Sequence, residues 1–178
     1  DIFTVTGSKN EYRSKTVIYC AGATHRMLGV KGEDEFSGKG VSYCAVCDGF
    51  FYRNKAVVVV GGGDTAVSEA IYLSNICRDV FIVHRRNDFR AAKGLVERLK
   101  KCENVTCEMN AELFEIRGDS MVNAVELKDG RVLKTDGVFV AVGIVPKSEL
   151  VSGLAECDKA GFIVAGEDGE TSCEGLYA

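Results

Sequence analysis

The chain has 178 residues, 46% of them hydrophobic and 27% charged, with a net charge of -4 at neutral pH. This composition is that of a globular protein rather than a disordered or fibrous one, and its acidic balance argues against nucleic acid or an anionic membrane as the main partner. No apolar run approaches the roughly 20 residues that span a bilayer and no signal peptide opens the chain, so a cytoplasmic location is expected.

From the start, residues 2–5 and 12–20 read as short strands around the turn Gly7-Ser8-Lys9-Asn10. Residues 24–40 are polar and studded with glycine, as a linker between two structural units would be. After the stretch Cys44-Ala45-Val46-Cys47-Asp48-Gly49-Phe50-Phe51, residues 56–60 form a continuous β-branched run, the mark of a strand buried on both faces. A Gly-rich turn follows, then a helix with Ala66, Val67, Ala70, Ile71 and Leu73 near helical spacing, then a second apolar strand at 79–83. Strand, helix and strand within some thirty residues make a βαβ unit.

A second helix is predicted over 90–101, with Leu95, Val96, Leu99 and Cys102 on its apolar face. Residues 105–109, 113–116, 122–128 and 131–135 read as a meander with a tight turn at Asp129-Gly130, and 137–143 returns to the parallel sheet. A second polar connection follows Pro146, the only proline. The expected fold class is α/β: a Rossmann-like, three-layer dinucleotide-binding domain with a β-meander, flanked by short β segments of a second domain. Eight cysteines in a chain this long do not suggest a secreted disulfide framework, and Cys20, Cys77 and Cys102 lie in apolar patterns where buried free thiols are expected.

The run Gly61-Gly62-Gly63-Asp64-Thr65-Ala66 fits G-x-G-x-x-G/A between strand and helix. Gly61 permits the tight turn, Gly63 lets backbone approach a pyrophosphate, and Ala66 allows close helix–strand packing, while the helix N-terminus offers free N–H donors. An NAD site places an acidic residue about twenty positions further on. Here His84-Arg85-Arg86 stands there with Arg90 behind it, so the guanidiniums suit a 2′-phosphate and NADPH is favoured over NADH; the alternative is a solvated basic patch.

Cys44 and Cys47 suit either a zinc half-site or a redox-active disulfide. Zinc needs two further ligands; Cys102 and Cys107 straddle a helix end and a strand, and His25 and His84 look otherwise placed, so no metal is expected. For a redox pair, two intervening residues let a disulfide open and close with little backbone motion, and Asp48 beside Cys47 could move a proton. Asp48-Gly49 also reads as an ordinary turn.

Cys-Ala-Val-Cys-Asp-Gly-Phe-Phe, then Val-Gly-Gly-Gly-Asp-Thr-Ala, then His-Arg-Arg-Asn-Asp-Phe-Arg, in this order and spacing, resembles bacterial-type, low-molecular-weight thioredoxin reductase. The resemblance runs the whole chain but covers only the middle of that family: an NADPH domain at 24–145 between two pieces of an FAD domain at 1–23 and 146–178. It implies that Cys44 is the interchange thiol attacking thioredoxin, that Cys47 lies nearer the flavin, and that Asp48 is the general acid. It further implies that Gly61, Gly62, Gly63, Asp64, Thr65 and Ala66 hold the pyrophosphate, and that His84, Arg85, Arg86 and Arg90 hold the 2′-phosphate. Lys39, Phe50 and Phe51 would dock thioredoxin, Lys39 standing where the family often has arginine.

The family carries electrons from NADPH through FAD to the disulfide, works as a homodimer, and rotates the NADPH domain on its linkers, here near Ala23 and Val145. Ala21 and Lys147 depart from the usual threonine and asparagine at those crossings. Because the sequence holds a single Gly-rich turn, the chain by itself is expected to bind NADPH without FAD and without turnover. The rivals are an NADH-linked reductase of the alkyl hydroperoxide type, which lacks the His-Arg-Arg run, and a non-catalytic nucleotide-binding or redox module.

Overall fold

The computed structural model describes residues 2–178. They form two compact units, residues 25–143 and, separately, residues 2–24 with 144–178.

The first unit to fold from sequence logic is the larger. Its sheet joins β5 (Val41–Ser42), β6 (Ala56–Val60), β7 (Asp79–His84), β8 (Val105–Met109) and β12 (Gly137–Val140) in the order β5-β12-β6-β7-β8, every pair parallel. Every residue of β6 is buried, as a central parallel strand covered on both faces must be. Alternation then divides the valines. Val57 and Val59 pack with Val67, Ala70 and Leu73 of α2 (Asp64–Ser74) and Leu99 of α3 (Lys93–Leu99). Val58 and Val60 face a three-stranded antiparallel meander of β9 (Leu113–Gly118), β10 (Val122–Leu127) and β11 (Val132–Lys134), through Leu113, Ile116, Val122, Val125 and Leu127. Helices, parallel sheet and meander make three layers. Each buried valine contributes about 1.5–3 kcal/mol, so the run at 56–60 is the strongest fold-determining stretch in the chain.

Several sequence expectations need correction. Residues 105–109 belong to the parallel sheet as its edge strand β8, not to the meander, because their register runs parallel to β7 from Val80↔Val105 to His84↔Met109. The helix expected over 90–101 spans only Lys93–Leu99: the Arg90 N–H is taken by the Gly62 carbonyl and the Ala92 N–H by the Asp64 carboxylate, so the approach is extended. The expected linker at 24–40 is exposed along much of its length but is tied into the larger unit from residue 25 onward. Lys31 bridges to Glu115, the Val122 N–H donates to the Lys39 carbonyl, and Glu33 and Phe36 are buried. Cys20 is exposed and Cys102 half-buried, so only Cys77 of the three is the buried thiol expected.

In the smaller unit, β1 (Phe3–Thr6) pairs antiparallel with β2 (Glu11–Ser14), and the Gly7 N–H closes the turn on the Asn10 carbonyl at 2.8 Å. The strand expected over 12–20 is therefore broken: β2 ends at Ser14, and β3 (Val17–Ile18) pairs parallel with β14 (Leu176–Tyr177). β4 (Ala23–His25) pairs with β13 (Ile144–Pro146). The core is small, Val151, Ala155 and Leu176 with Phe3, Val17 and Tyr19 packed against them. Among the described residues no helix is long and apolar enough to cross a membrane.

Candidate functional site

The turn after β6 gives each glycine a separate reason. Gly61 has φ +147, and a Cβ there would collide with the Ala141 carbonyl and the Ala66 methyl, so residue 61 is locked by the close approach of β12 and α2. A Cβ at Gly62 would strike the His84 ring. At Gly63 a Cβ would meet nothing within 4 Å, which leaves open space over the N-terminus of α2, where the first N–H groups of a helix lack partners.

That space is part of a cavity of about 950 Å³, within the range of ordinary ligand sites. Gly61, Gly62, Gly63 and Thr65 line it, as do His84, Arg85 and Arg90, and Leu28, Gly29 and Val30. The Asp64 carboxylate faces the backbone of Ala92 at 2.7 Å, so it ties the start of α2 to the segment ahead of α3. Ala66 is fully buried beneath the turn.

His84 is buried, its ring stacked on Phe89 with centroids 5.6 Å apart and its Nε2–H donating to the Asp88 carbonyl at 3.1 Å. Burial holds its pKa below the ordinary histidine value; the Asp88 bond opposes this, and the charges of Arg90, Arg86 and Arg85 add to the lowering. Arg85, Arg86 and Arg90 thus all act on His84, all are exposed, and none makes an ion pair among the described residues. Arg86 does not line the cavity. The donor set and the open space at Gly63 fit a dinucleotide bearing an extra phosphate.

The second cluster lies on a separate short helix that is tied to α2 through Glu69. Cys44 and Cys47 are joined by a disulfide with Cα atoms 5.3 Å apart. Cys44 is the N-cap of α1 (Ala45–Asp48), its Sγ accepting from the Cys47 N–H at 3.2 Å, and it is half-buried while Cys47 is exposed. Asp48 accepts a 2.6 Å hydrogen bond from the Ser42 hydroxyl, and the Cys44 N–H donates to the same Ser42 oxygen at 3.1 Å. Ser42, at the end of β5, therefore fixes Asp48 and the entry to the redox segment together.

Glu69 of α2 accepts from the Ala45 N–H at 3.3 Å, while its second oxygen is buried without a partner. Burial pushes the Glu69 carboxyl above the usual carboxylate range, against the lowering effects of the Ala45 bond and His25. Neither Ser42 nor Glu69 was foreseen from sequence: Ser42 acts by hydrogen bonds to Asp48 and the Cys44 N–H, and Glu69 reaches the Ala45 N–H from α2. Leu73 and Tyr72 of α2 press on Gly49, where a Cβ would stand 2.9 Å from Leu73 Cδ2.

Phe50 and Phe51, on a 3-10 turn at Gly49–Tyr52, are 66% and 72% exposed, and Val46 beside them is 71% exposed. Arg53 lies over the Phe50 ring at 5.2 Å. An apolar patch with a cationic edge thus borders the disulfide. Lys39 is exposed on the turn before β5.

The description of the pyridine nucleotide-disulphide oxidoreductase family matches residues 2–178. The chain belongs to that family. It is 45% identical over 181 residues to a thioredoxin reductase of Mycolicibacterium smegmatis, covering 98% of this chain and 58% of the relative. The crystal structure of Lactococcus lactis thioredoxin reductase superposes with a TM-score of 0.86 at 38% identity, over 100% of this chain and 61% of that one. A protein of Pseudomonas fluorescens named glucosaminate ammonia-lyase is 47% identical, over 99% of this chain and 59% of its own length. The chain thus spans somewhat under two thirds of the relatives it matches, and similarity spans more than one named activity.

Proposed function

We propose that this chain supplies the NADPH- and thiol-handling part of a disulfide reductase acting on thioredoxin. The observation that carries it is a Cys44–Cys47 disulfide on α1 and a phosphate-ready glycine turn at the start of α2, both in one unit. The cavity at Gly61–Gly63 takes the pyrophosphate, and Arg85, Arg86 and Arg90 take the 2′-phosphate over the platform made by His84. NADPH, when bound, supplies a hydride. The resemblance assigns the relay to FAD, but the chain offers one glycine turn of this kind among its described residues, so no residue is assigned to flavin.

The thiol side follows from this chain's own groups. In the dithiol form one thiolate attacks the partner's disulfide and forms a mixed disulfide; the second thiolate then breaks it, releasing a dithiol partner and restoring Cys44–Cys47. Asp48, held by Ser42, moves the proton. We give the first attack to Cys47, the more exposed residue of the pair, in place of the Cys44 role implied by the resemblance, and leave Cys44 to resolve. Phe50, Phe51 and Val46 form the docking surface, with Lys39 at its edge. Homodimer formation is part of the same proposal.

The test uses single serine variants mixed with thioredoxin carrying an activated thiol. Cys44→Ser should form a stable mixed disulfide and Cys47→Ser should not. If both variants fail with thioredoxin while reacting with a small disulfide, the partner assignment falls.

A further inference from the structure

Glu33 is 1% exposed, the most buried charged residue among those described, and it lies outside both the redox motif and the glycine turn. Its three hydrogen bonds are all accepted from donors. Oε1 takes the Leu28 N–H at 2.9 Å and the Tyr43 hydroxyl at 3.1 Å, and Oε2 takes the Gly29 N–H at 2.7 Å. Leu28 and Gly29 line the nucleotide cavity, and Gly29 stands at φ +72, a conformation open to glycine without strain, so the two N–H groups can both turn toward Glu33. Tyr43 does not line that cavity; it precedes Cys44, and its ring stacks on His25 with centroids 5.3 Å apart. The Tyr43 hydroxyl is pushed up to about 12, by burial first and then by the Glu33 charge and hydrogen bond.

One buried carboxylate therefore holds two elements at once, and a carboxylate so placed cannot lose one donor without shifting toward the others. We infer that Tyr43 is a positioning residue for the nucleotide: acting through Glu33, it fixes the 28–29 segment and so sets nucleotide affinity without touching the ligand. The inference rests on the cavity being an NADPH site. A merely structural role would weaken folding and leave the two residues' effects on affinity independent, whereas a shared tie makes them overlap.

The experiment is a double-mutant cycle in NADPH affinity on the whole chain, by calorimetry, with thermal midpoints recorded alongside. Tyr43→Phe keeps the ring and removes the hydroxyl; it should weaken NADPH about threefold. Glu33→Gln cannot accept from all three donors and should weaken it about tenfold, and the double variant should be no worse than Glu33→Gln alone, because the tie is already lost. Alkaline ultraviolet titration supplies a readout that needs no ligand: one tyrosine of the wild type should ionise near 12, and its midpoint should fall in a Glu33→Ala chain that remains folded. An unchanged affinity for Tyr43→Phe, or a double variant weakened by the product of the single effects, overturns the inference. If Glu33→Gln fails to fold, Tyr43→Phe alone decides, since it leaves both backbone donors in place. A wild-type chain that binds no NADPH removes the reading of the cavity and this inference with it; normal wild-type binding with an unmoved Tyr43→Phe removes only the latter.

Discussion

Replacing Arg85 by alanine isolates the step that chooses the nucleotide. Arg85 lines the cavity with Gly62 and Gly63, is exposed, and makes no ion pair among the described residues, so its removal should leave the fold in place. A charge-assisted hydrogen bond contributes about 1.5–3 kcal/mol, and solvent screening of an exposed guanidinium argues for the lower part of that range even if two bonds form. A loss of about 1.5–3 kcal/mol is an approximately 10–150-fold rise in the NADPH dissociation constant. NADH lacks the phosphate, so its constant should move by less than about twofold. Calorimetric titration of both nucleotides at two salt concentrations reads this directly, and the NADPH advantage should shrink as salt rises. Equal losses for NADH and NADPH would show that Arg85 serves the cavity generally and would refute the phosphate assignment. No loss for either would place the 2′-phosphate elsewhere.

Two further predictions follow from the redox side. Because burial raises the Glu69 carboxyl above its unfolded value, the folded chain binds that proton more readily: its contribution to stability is full below the ordinary carboxylate range and is lost as pH climbs through the raised value. Glu69→Gln should therefore flatten the decline in thermal midpoint across that window and be at least as stable as wild type at neutral pH; an unchanged pH slope would count against it. Phe50→Ser with Phe51→Ser should slow reaction with oxidised or reduced thioredoxin at least tenfold while leaving the rate with a small-molecule dithiol unchanged, since both rings are largely exposed and contribute little to the core. Equal slowing with both reagents would point to a disturbed disulfide instead of a lost docking surface.

What the sequence revealed depended on whether the signal was local. The buried run at Ala56–Val60, the glycines after it and α2 carry their structural meaning within a dozen residues, and they form the centre of the unit. Residues 25–40 could not be read this way. Their glycines and charges imitate a linker, and the burial of Glu33 becomes intelligible only when Leu28, Gly29 and Tyr43 are seen to donate to it. The placement of β8 failed for a related reason: a five-residue apolar–polar strand looks alike in a meander or at a parallel edge, and the pairing partner decides. At the site, the cysteines, glycines and arginines were legible because their chemistry demands residue types at fixed spacing. Ser42 and Glu69 were not, since each reaches the redox segment through a hydrogen bond that no spacing encodes.

The central claim, that Cys44–Cys47 exchanges electrons with thioredoxin, can be measured in the thermodynamic reverse without any flavin. Reduced thioredoxin is added in stoichiometric amount to the oxidised chain, the reaction is quenched with acid, and thiols are labelled and located by mass spectrometry. The account predicts two new thiols per reduced chain, located at Cys44 and Cys47, with thioredoxin oxidised in step and Cys20, Cys77, Cys102, Cys107, Cys157 and Cys173 free throughout. A disulfide that stays closed to thioredoxin while dithiothreitol opens it would contradict the account.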